Sequence, residues 1–195
     1  MQIERNQLME DLIARIKRAN FNVTKLKGLS LEQLNTRSQQ NSWTILECIE
    51  HLNRYGDFYL PEIERQLIHG ISDEGAELFK PGIIGNYFVG MIQVKKGKVK
   101  KMKTPKEMDP IHSDLTITTI DRFLKQQDRL SALLQQAKRM DLTKTKTAIS
   151  LTKMIKLRLG DTLRFVVYHI ERHIAQAEGY ASLHAKKHSY ESNMI

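Results

Sequence analysis

The sequence is poor in cysteine, proline and glycine, and it has no long hydrophobic run. The single cysteine, Cys48, excludes an internal disulfide and fits a reducing compartment. Because only 4 prolines and 10 glycines interrupt 195 residues, long helices are favoured over a β-rich fold. The apolar stretch IIGNYFVGMIQV is shorter than the ~20 residues that a membrane span needs, and the N-terminus shows no signal-peptide pattern. We therefore expect a cytoplasmic protein with no membrane partner.

The net charge of +9 is unevenly distributed along the chain. Residues 41–80 hold eight acidic and three basic residues, whereas residues 94–106 hold seven lysines and no acid. A basic run of this kind is the first sign of a nucleic-acid-binding protein. The lysines that such binding would use are Lys95, Lys96, Lys98, Lys100, Lys101 and Lys103. Because the run lacks stacking aromatics and arginine, a solvated loop is the favoured interpretation and nucleic acid is the lesser alternative.

Four long segments carry the periodicity of amphipathic helices, at about residues 3–27, 43–69, 116–139 and 161–181. Ser42 and Asp161 are the expected N-caps of the second and fourth helices. Pro61 predicts a kink or a boundary inside the second helix, which Gly70 closes.

The connections between these helices differ in length. Residues 71–114 are the least regular part of the chain and are predicted to be a functional flap or a crossover. A basic connector over 144–160 leads into the fourth helix. The sequence thus predicts an all-α four-helix bundle over residues 1–183, with a long crossover between helices 2 and 3 and a polar tail over 184–195.

Three histidines are candidate metal ligands. His169 and His173 are four residues apart, so they project from one helix face and can reach a common cation at ~2.0–2.1 Å. His51 in the second helix would complete a three-imidazole site with positions open for water or substrate, as in catalytic sites. A second pair, His184 and His188, lies too far along the helix axis to share a metal with His173. The alternative is that each histidine is a core residue hydrogen-bonded to a neighbour.

Two short motifs extend this pattern. The second helix matches W-[ST]-x-x-E-x-x-x-H-L with Trp43, Thr44, Glu47, His51 and Leu52. The fourth helix matches H-x-x-x-H, accompanied by Arg and Gln, with His169, Arg172, His173 and Gln176. Together with KTPKEMDP and FLKQQDRL in the middle region, these motifs resemble the DinB-like superfamily and its DinB_2-type members over residues 3–181.

The resemblance implies a four-helix bundle, often a homodimer, in which His51, His169 and His173 hold a divalent cation. Zn, Ni and Fe all suit such a ligand set. The implied activity is a metal-dependent hydrolase or a thiol S-transferase acting on a small molecule, with a low-molecular-weight thiol as a candidate partner. The alternative is a non-catalytic stress-response or interaction bundle.

Residues around His51 allow two interpretations each. Glu47 either orients His51 or is a first-turn acid favoured by the helix dipole. Tyr55 lines the site or packs in the core, and Cys48 is a reactive thiolate or a small core residue. We expect Trp43 to anchor the start of the helix in the core.

Overall fold

The computed structural model describes residues 2–73, 77–94 and 102–192. The helices in this part of the chain are α1 (Arg5–Leu26), α2 (Leu31–Asn35), α3 (Ile45–His69), α4 (Ile83–Ile92), α5 (Thr118–Ala137) and α6 (Leu159–Ser192). The strands are β1 (Ile3–Glu4), β2 (Leu78–Phe79), β3 (Lys146–Ile149) and β4 (Thr152–Arg158). A short 3-10 turn spans Lys106–Met108.

Four long helices, α1, α3, α5 and α6, form the bundle. Helix α3 packs against α5 and α6, and α1 packs against the same two helices, so α1 and α3 occupy opposite corners. The apolar stripes meet in one core, which includes Leu12, Ile16, Ile49, Ile63, Phe123, Leu134, Leu163 and Ile170. The prediction of an all-α four-helix bundle is confirmed, with two small two-stranded sheets added to it.

The start of α3 differs from the prediction. Thr44, not Ser42, is its N-cap, and a capping box joins the Thr44 side chain to the backbone N–H of Glu47 and the Glu47 carboxylate to the N–H of Thr44. Ser42 instead closes a turn with Gln39. Pro61 does not end the helix, which continues to His69 and closes at Gly70 as predicted.

The two connections hold more regular structure than the sequence indicated. The crossover contains α4, which packs against α6, and β2, which pairs with β1. The expected basic connector is a β-hairpin of β3 and β4, with Lys146 opposite Arg158 and Ile149 opposite Thr152.

Helix α6 begins directly after the hairpin, two residues before the predicted N-cap. Asp161 is therefore inside the helix, where its carboxylate accepts hydrogen bonds from the Gly82 N–H at 2.7 Å and from Arg164 at 3.2 Å. The helix continues to Ser192, so the backbone of the predicted tail is helical as far as that residue. The domain boundary at residue 183 stays a prediction.

Helix α4 approaches α6 closely at Gly85. A Cβ atom added there would overlap the carboxyl group of Asp161, whereas a Cβ at Gly90 in the same helix would meet open space. We expect Gly85→Ala to lower the free energy of unfolding by about 1–3 kcal/mol because a buried contact would have to be displaced. Urea denaturation measures this change. Gly90→Ala is the matched control and is expected to be neutral or slightly stabilising.

Glu62 ties α3 to the hairpin by accepting the Ala148 N–H at 2.7 Å. Burial alone would raise the pKa of this carboxyl, but the hydrogen bonds from Ala148 and Arg65 hold its pKa below the usual 4.5. A carboxylate with a lowered pKa stabilises the fold at pH values above 4.5, and this stabilisation is lost as the pH falls and the group is protonated.

Glu62→Gln is therefore expected to cost about 1 kcal/mol of unfolding free energy at neutral pH. The difference from the wild type should shrink in acid, below pH 4.5, as measured by urea denaturation over a pH series. Glu64→Gln, two residues away in an exposed ion pair with Arg129, is the control. An equal loss in both variants, or a loss independent of pH, would contradict the assignment.

Candidate metal centre

The structure brings the three predicted histidines together. His51 lies on α3, and His169 and His173 lie one turn apart on α6, which packs beside α3. The Nε2 atom of His169 is 3.3 Å from Nε2 of His51 and 3.1 Å from Nε2 of His173. The ligand atoms of all three lie within 4.8 Å of one another, and all three residues are buried.

Hydrogen bonds at the opposite ring nitrogen determine the tautomers of two of these histidines. Nδ1 of His51 is 2.7 Å from the backbone carbonyl of Met108. A carbonyl only accepts, so this Nδ1 carries the proton and Nε2 presents a lone pair. Nδ1 of His173 is likewise 3.1 Å from Oε1 of Gln176, which leaves its Nε2 as an acceptor.

The arrangement fits a divalent cation. His169 can donate one Nε2 proton to only one of its two neighbours, so at least one buried Nε2 lone pair has no donor within the cluster. A cation at the centre would satisfy all three. Two nitrogens bound to one tetrahedral zinc are about 3.4 Å apart, close to the 3.1 and 3.3 Å between these Nε2 atoms.

Burial keeps the imidazoles in the neutral form that binds metals. It lowers the pKa of His51 to about 4, although the hydrogen bond to Met108 acts in the opposite direction. Burial also lowers the pKa values of His169 and His173 well below the usual 6.5, and the nearby Arg172 guanidinium adds to this effect. No proton therefore has to be displaced from these rings at neutral pH.

Aromatic side chains surround the three imidazoles. The Trp43 ring lies 4.6 Å from the His51 ring, and the Phe165 ring stacks on His169 at 5.5 Å. The Tyr55 ring lies 4.8 Å from His51 and 4.4 Å from His169, and it also lines the adjacent cavity, so both interpretations of this residue hold. Packing on several sides leaves the imidazoles little freedom to rotate.

Glu47 does not act on His51 in the described contacts. Its carboxylate accepts two hydrogen bonds from Arg37, at 2.7 and 2.9 Å, and one from the His112 N–H at 2.6 Å, besides capping α3. The interpretation as a first-turn acid is therefore the better one. Cys48 is fully buried, and burial raises the pKa of its thiol, so it is a core residue.

The imidazoles open onto a cavity of about 1260 Å³. Its walls include apolar side chains of α4 and the hairpin tip, among them Phe88, Met91, Ile92 and Leu151. They also include the cationic side chains Arg37, Lys103 and Arg172. A small molecule that entered this cavity would reach the three Nε2 atoms.

Several sequence expectations lie beyond what the structure covers. Lys95, Lys96, Lys98, Lys100 and Lys101 are outside the described residues, as are the side chains of His184 and His188. Within the described part of the chain, no helix is long and apolar enough to cross a membrane.

Both a family model and a solved structure match this chain. The model of the DinB_2 family, of the DinB superfamily, matches residues 15–177, and the chain belongs to this superfamily. The structure is similar to that of YfiT from Bacillus subtilis, described as "a probable metal-dependent hydrolase with an unusual four-helix bundle topology". The TM-score is 0.54 at 16% identity, over 91% of this chain and 87% of YfiT. Curated proteins include no significant match.

The orienting group of His51 could not be found from sequence. The Met108 carbonyl is a backbone atom, so no side-chain pattern points to it. Gln176 is different, because it is part of the motif on α6 and lies one turn beyond His173. Its contact with the Nδ1 atom of His173 gives that motif position a physical role.

Gln176→Leu removes the acceptor for the His173 Nδ1 proton. Loss of such an orienting partner typically weakens metal binding by about 10–100-fold. Competition with a chromophoric chelator for Zn²⁺ measures the affinity, and circular dichroism checks the fold. Gln176→Glu keeps an acceptor and should bind Zn²⁺ at least as tightly as the wild type. Equal affinities in the Leu variant and the wild type would show that Gln176 does not orient His173.

Proposed function

We propose that this protein is a metal-dependent hydrolase that acts on a small molecule and holds a divalent cation with His51, His169 and His173. The observation that carries the proposal is the convergence of three buried, neutral imidazoles on the wall of a large cavity. The description of the structurally similar YfiT as a probable metal-dependent hydrolase agrees with it. Three protein ligands leave a position for water or substrate.

When bound, such a cation supplies a nucleophile at neutral pH by lowering the pKa of a coordinated water or thiol. Side chains around the three imidazoles would shield the site and contact the substrate. Trp43 and Phe165 shield the imidazoles and exclude water from one side of the site. Tyr55 keeps its proton because burial raises its pKa to about 12, so its O–H can donate a hydrogen bond to a substrate oxygen.

Thiol S-transfer is the second candidate reaction. The cavity of about 1260 Å³ exceeds the ~300–1,000 Å³ of usual ligand sites, so a thiol could bind beside an electrophile. Because Cys48 is fully buried, the thiol would have to be a diffusible small molecule. A cytoplasmic location and a homodimeric assembly are part of this proposal and follow from the resemblance.

If the protein were a non-catalytic bundle, its three clustered histidines would be ordinary core residues. Core histidines would each need a hydrogen-bond donor or acceptor suited to a neutral ring. In this cluster at least one Nε2 acceptor has no donor among the three rings, which a purely structural role does not explain.

Metal content tests the proposed ligands. The full chain, purified without a nickel column or histidine tag, is expected to carry about one divalent cation per chain by elemental analysis. His51→Ala and His169→Ala should abolish this metal, since two imidazoles seldom retain a cation. His69→Ala, at the exposed end of α3, is the control and should keep it. Stoichiometric metal in the His51→Ala/His169→Ala double variant would reject the ligand set.

Activity is tested on the metal-loaded chain with a panel of small esters, amides and thioesters. Hydrolysis should be lost on chelation and return with Zn²⁺, Ni²⁺ or Fe²⁺. Product formation that requires an added thiol would favour S-transfer over hydrolysis. A metal-loaded chain that converts none of these compounds, with or without a thiol, would favour the non-catalytic bundle.

A further inference from the structure

Exposed apolar side chains are concentrated on α4 and the β3–β4 hairpin. Ile83 is 92% exposed and Met154 is 93% exposed, which is unusual for aliphatic residues in ordered elements. The apolar members of this surface are Ile83, Ile84, Tyr87, Leu151 and Met154. Together with the basic residues Lys80, Lys146 and Lys156, we define them as the α4–hairpin surface.

Helix α4 and strand β4 are in contact, so these residues lie on neighbouring elements. The Arg158 guanidinium donates a hydrogen bond to the Lys80 carbonyl, just before α4 begins. At the other end, Leu151 of the hairpin tip lines the same cavity as Phe88 and Met91 of α4. The surface therefore borders the mouth of the cavity that holds the histidines.

The segments that form this surface carry positive charge alone. Within the described residues, segment 80–94 holds Lys80 and no acid, and residues 142–160 contain five basic residues and no acid. In the hairpin, the buried Thr147 and Leu157 point into the protein, so Lys146 and Lys156 share the outward face with Met154. Asp161, which follows the hairpin, is fully buried and hydrogen-bonded.

Several acidic residues on the outer faces of α3 are paired with basic residues of α5. Glu50 and Asp57 of α3 bind Arg122 of α5, and Glu64 binds Arg129. These carboxylates therefore do not neutralise the lysines of the α4–hairpin surface.

We propose that the α4–hairpin surface docks on an anionic phospholipid bilayer. Exposed aliphatic side chains can enter the headgroup region while the surrounding lysines contact lipid phosphates. Docking of this kind needs no spanning helix, so it is compatible with the lack of one in the described residues. The cavity mouth beside the surface would then face the bilayer.

Other occupants fit the surface less well. A nucleic acid would use the lysines, but Ile83 and Met154 would gain nothing from a phosphate backbone. A second copy joined symmetrically through the same patch would bring the basic residues of both chains face to face. A lipid bilayer satisfies the apolar and the basic members together.

Vesicle flotation tests the proposal with the full chain. The wild type should float with vesicles of phosphatidylcholine and phosphatidylglycerol, and hardly at all with phosphatidylcholine alone. Ile83→Ser/Met154→Ser should weaken binding by about tenfold because two side chains lose their insertion. Lys146→Gln/Lys156→Gln should weaken it by about fivefold for each lysine.

Matched variants remove the same groups from other faces. Phe21→Ser/Ile68→Ser replaces exposed apolar residues of α1 and α3, and Lys17→Gln/Lys125→Gln removes the same charge from α1 and α5. Both should bind vesicles like the wild type, and thermal melts confirm that all variants fold. The assay does not depend on a metal, so its failure is distinct from failure of the proposed function.

Three results would overturn docking on lipid. The first is a wild-type chain that stays with the soluble fraction beside anionic vesicles. The second is binding that the lysine variant loses but the Ile83/Met154 variant keeps, with competition by duplex DNA, which would indicate a general polyanion site. The third is a dimer in light scattering that Ile83→Ser/Met154→Ser dissociates, which would assign the surface to a second copy.

Discussion

The candidate site depends on the alignment of α3 with α6. A slide of one helical turn, ~5.4 Å along either axis, would separate His51 from the two histidines of α6, whose Nε2 atoms are now 3.1–3.3 Å from their neighbours. Contacts outside the cluster hold α6 against α1 and against the start of α4. Glu171 of α6 forms an ion pair with Arg15 of α1 at 2.8 Å, and Asp161 at the start of α6 accepts the Gly82 N–H. The bundle thus sets the distances between the imidazoles.

The histidine cluster also contains buried acceptor nitrogens that hydrogen bonds do not fully satisfy. Burying three neutral imidazoles whose Nε2 atoms face each other costs free energy, because at least one lone pair is desolvated without a donor. The buried Glu62 carboxylate, by contrast, is paired with the Ala148 N–H. In proteins, violations of this kind concentrate at functional sites. The aromatic rings around the cluster hold the imidazoles in place despite the unfavourable contact between their Nε2 atoms.

Sequence reasoning predicted those parts of the molecule that repeat with a helical period. Helices α1, α3, α5 and α6 follow from their apolar stripes, and the pairing of His169 with His173 follows from their spacing. The proximity of His51 depends on tertiary packing; it was expected from the position of His51 in the second helix and supported by a family resemblance. Contacts made by the backbone, such as the Met108 carbonyl on His51, leave no trace in a side-chain pattern. The hairpin was missed because its basic residues on the outward face hid the alternation of Thr147, Ile149 and Leu157.

The elements that sequence analysis missed are also the ones that make this bundle particular. A four-helix core with histidines at facing positions is a general framework, and it does not by itself select a substrate. Selection has to come from what surrounds the cavity, and α4 and the hairpin contribute Phe88, Met91, Ile92 and Leu151 to its walls. Because α4 is held to α6 through the close approach of Gly85 to Asp161, the cavity wall is coupled to the helix that carries His169 and His173.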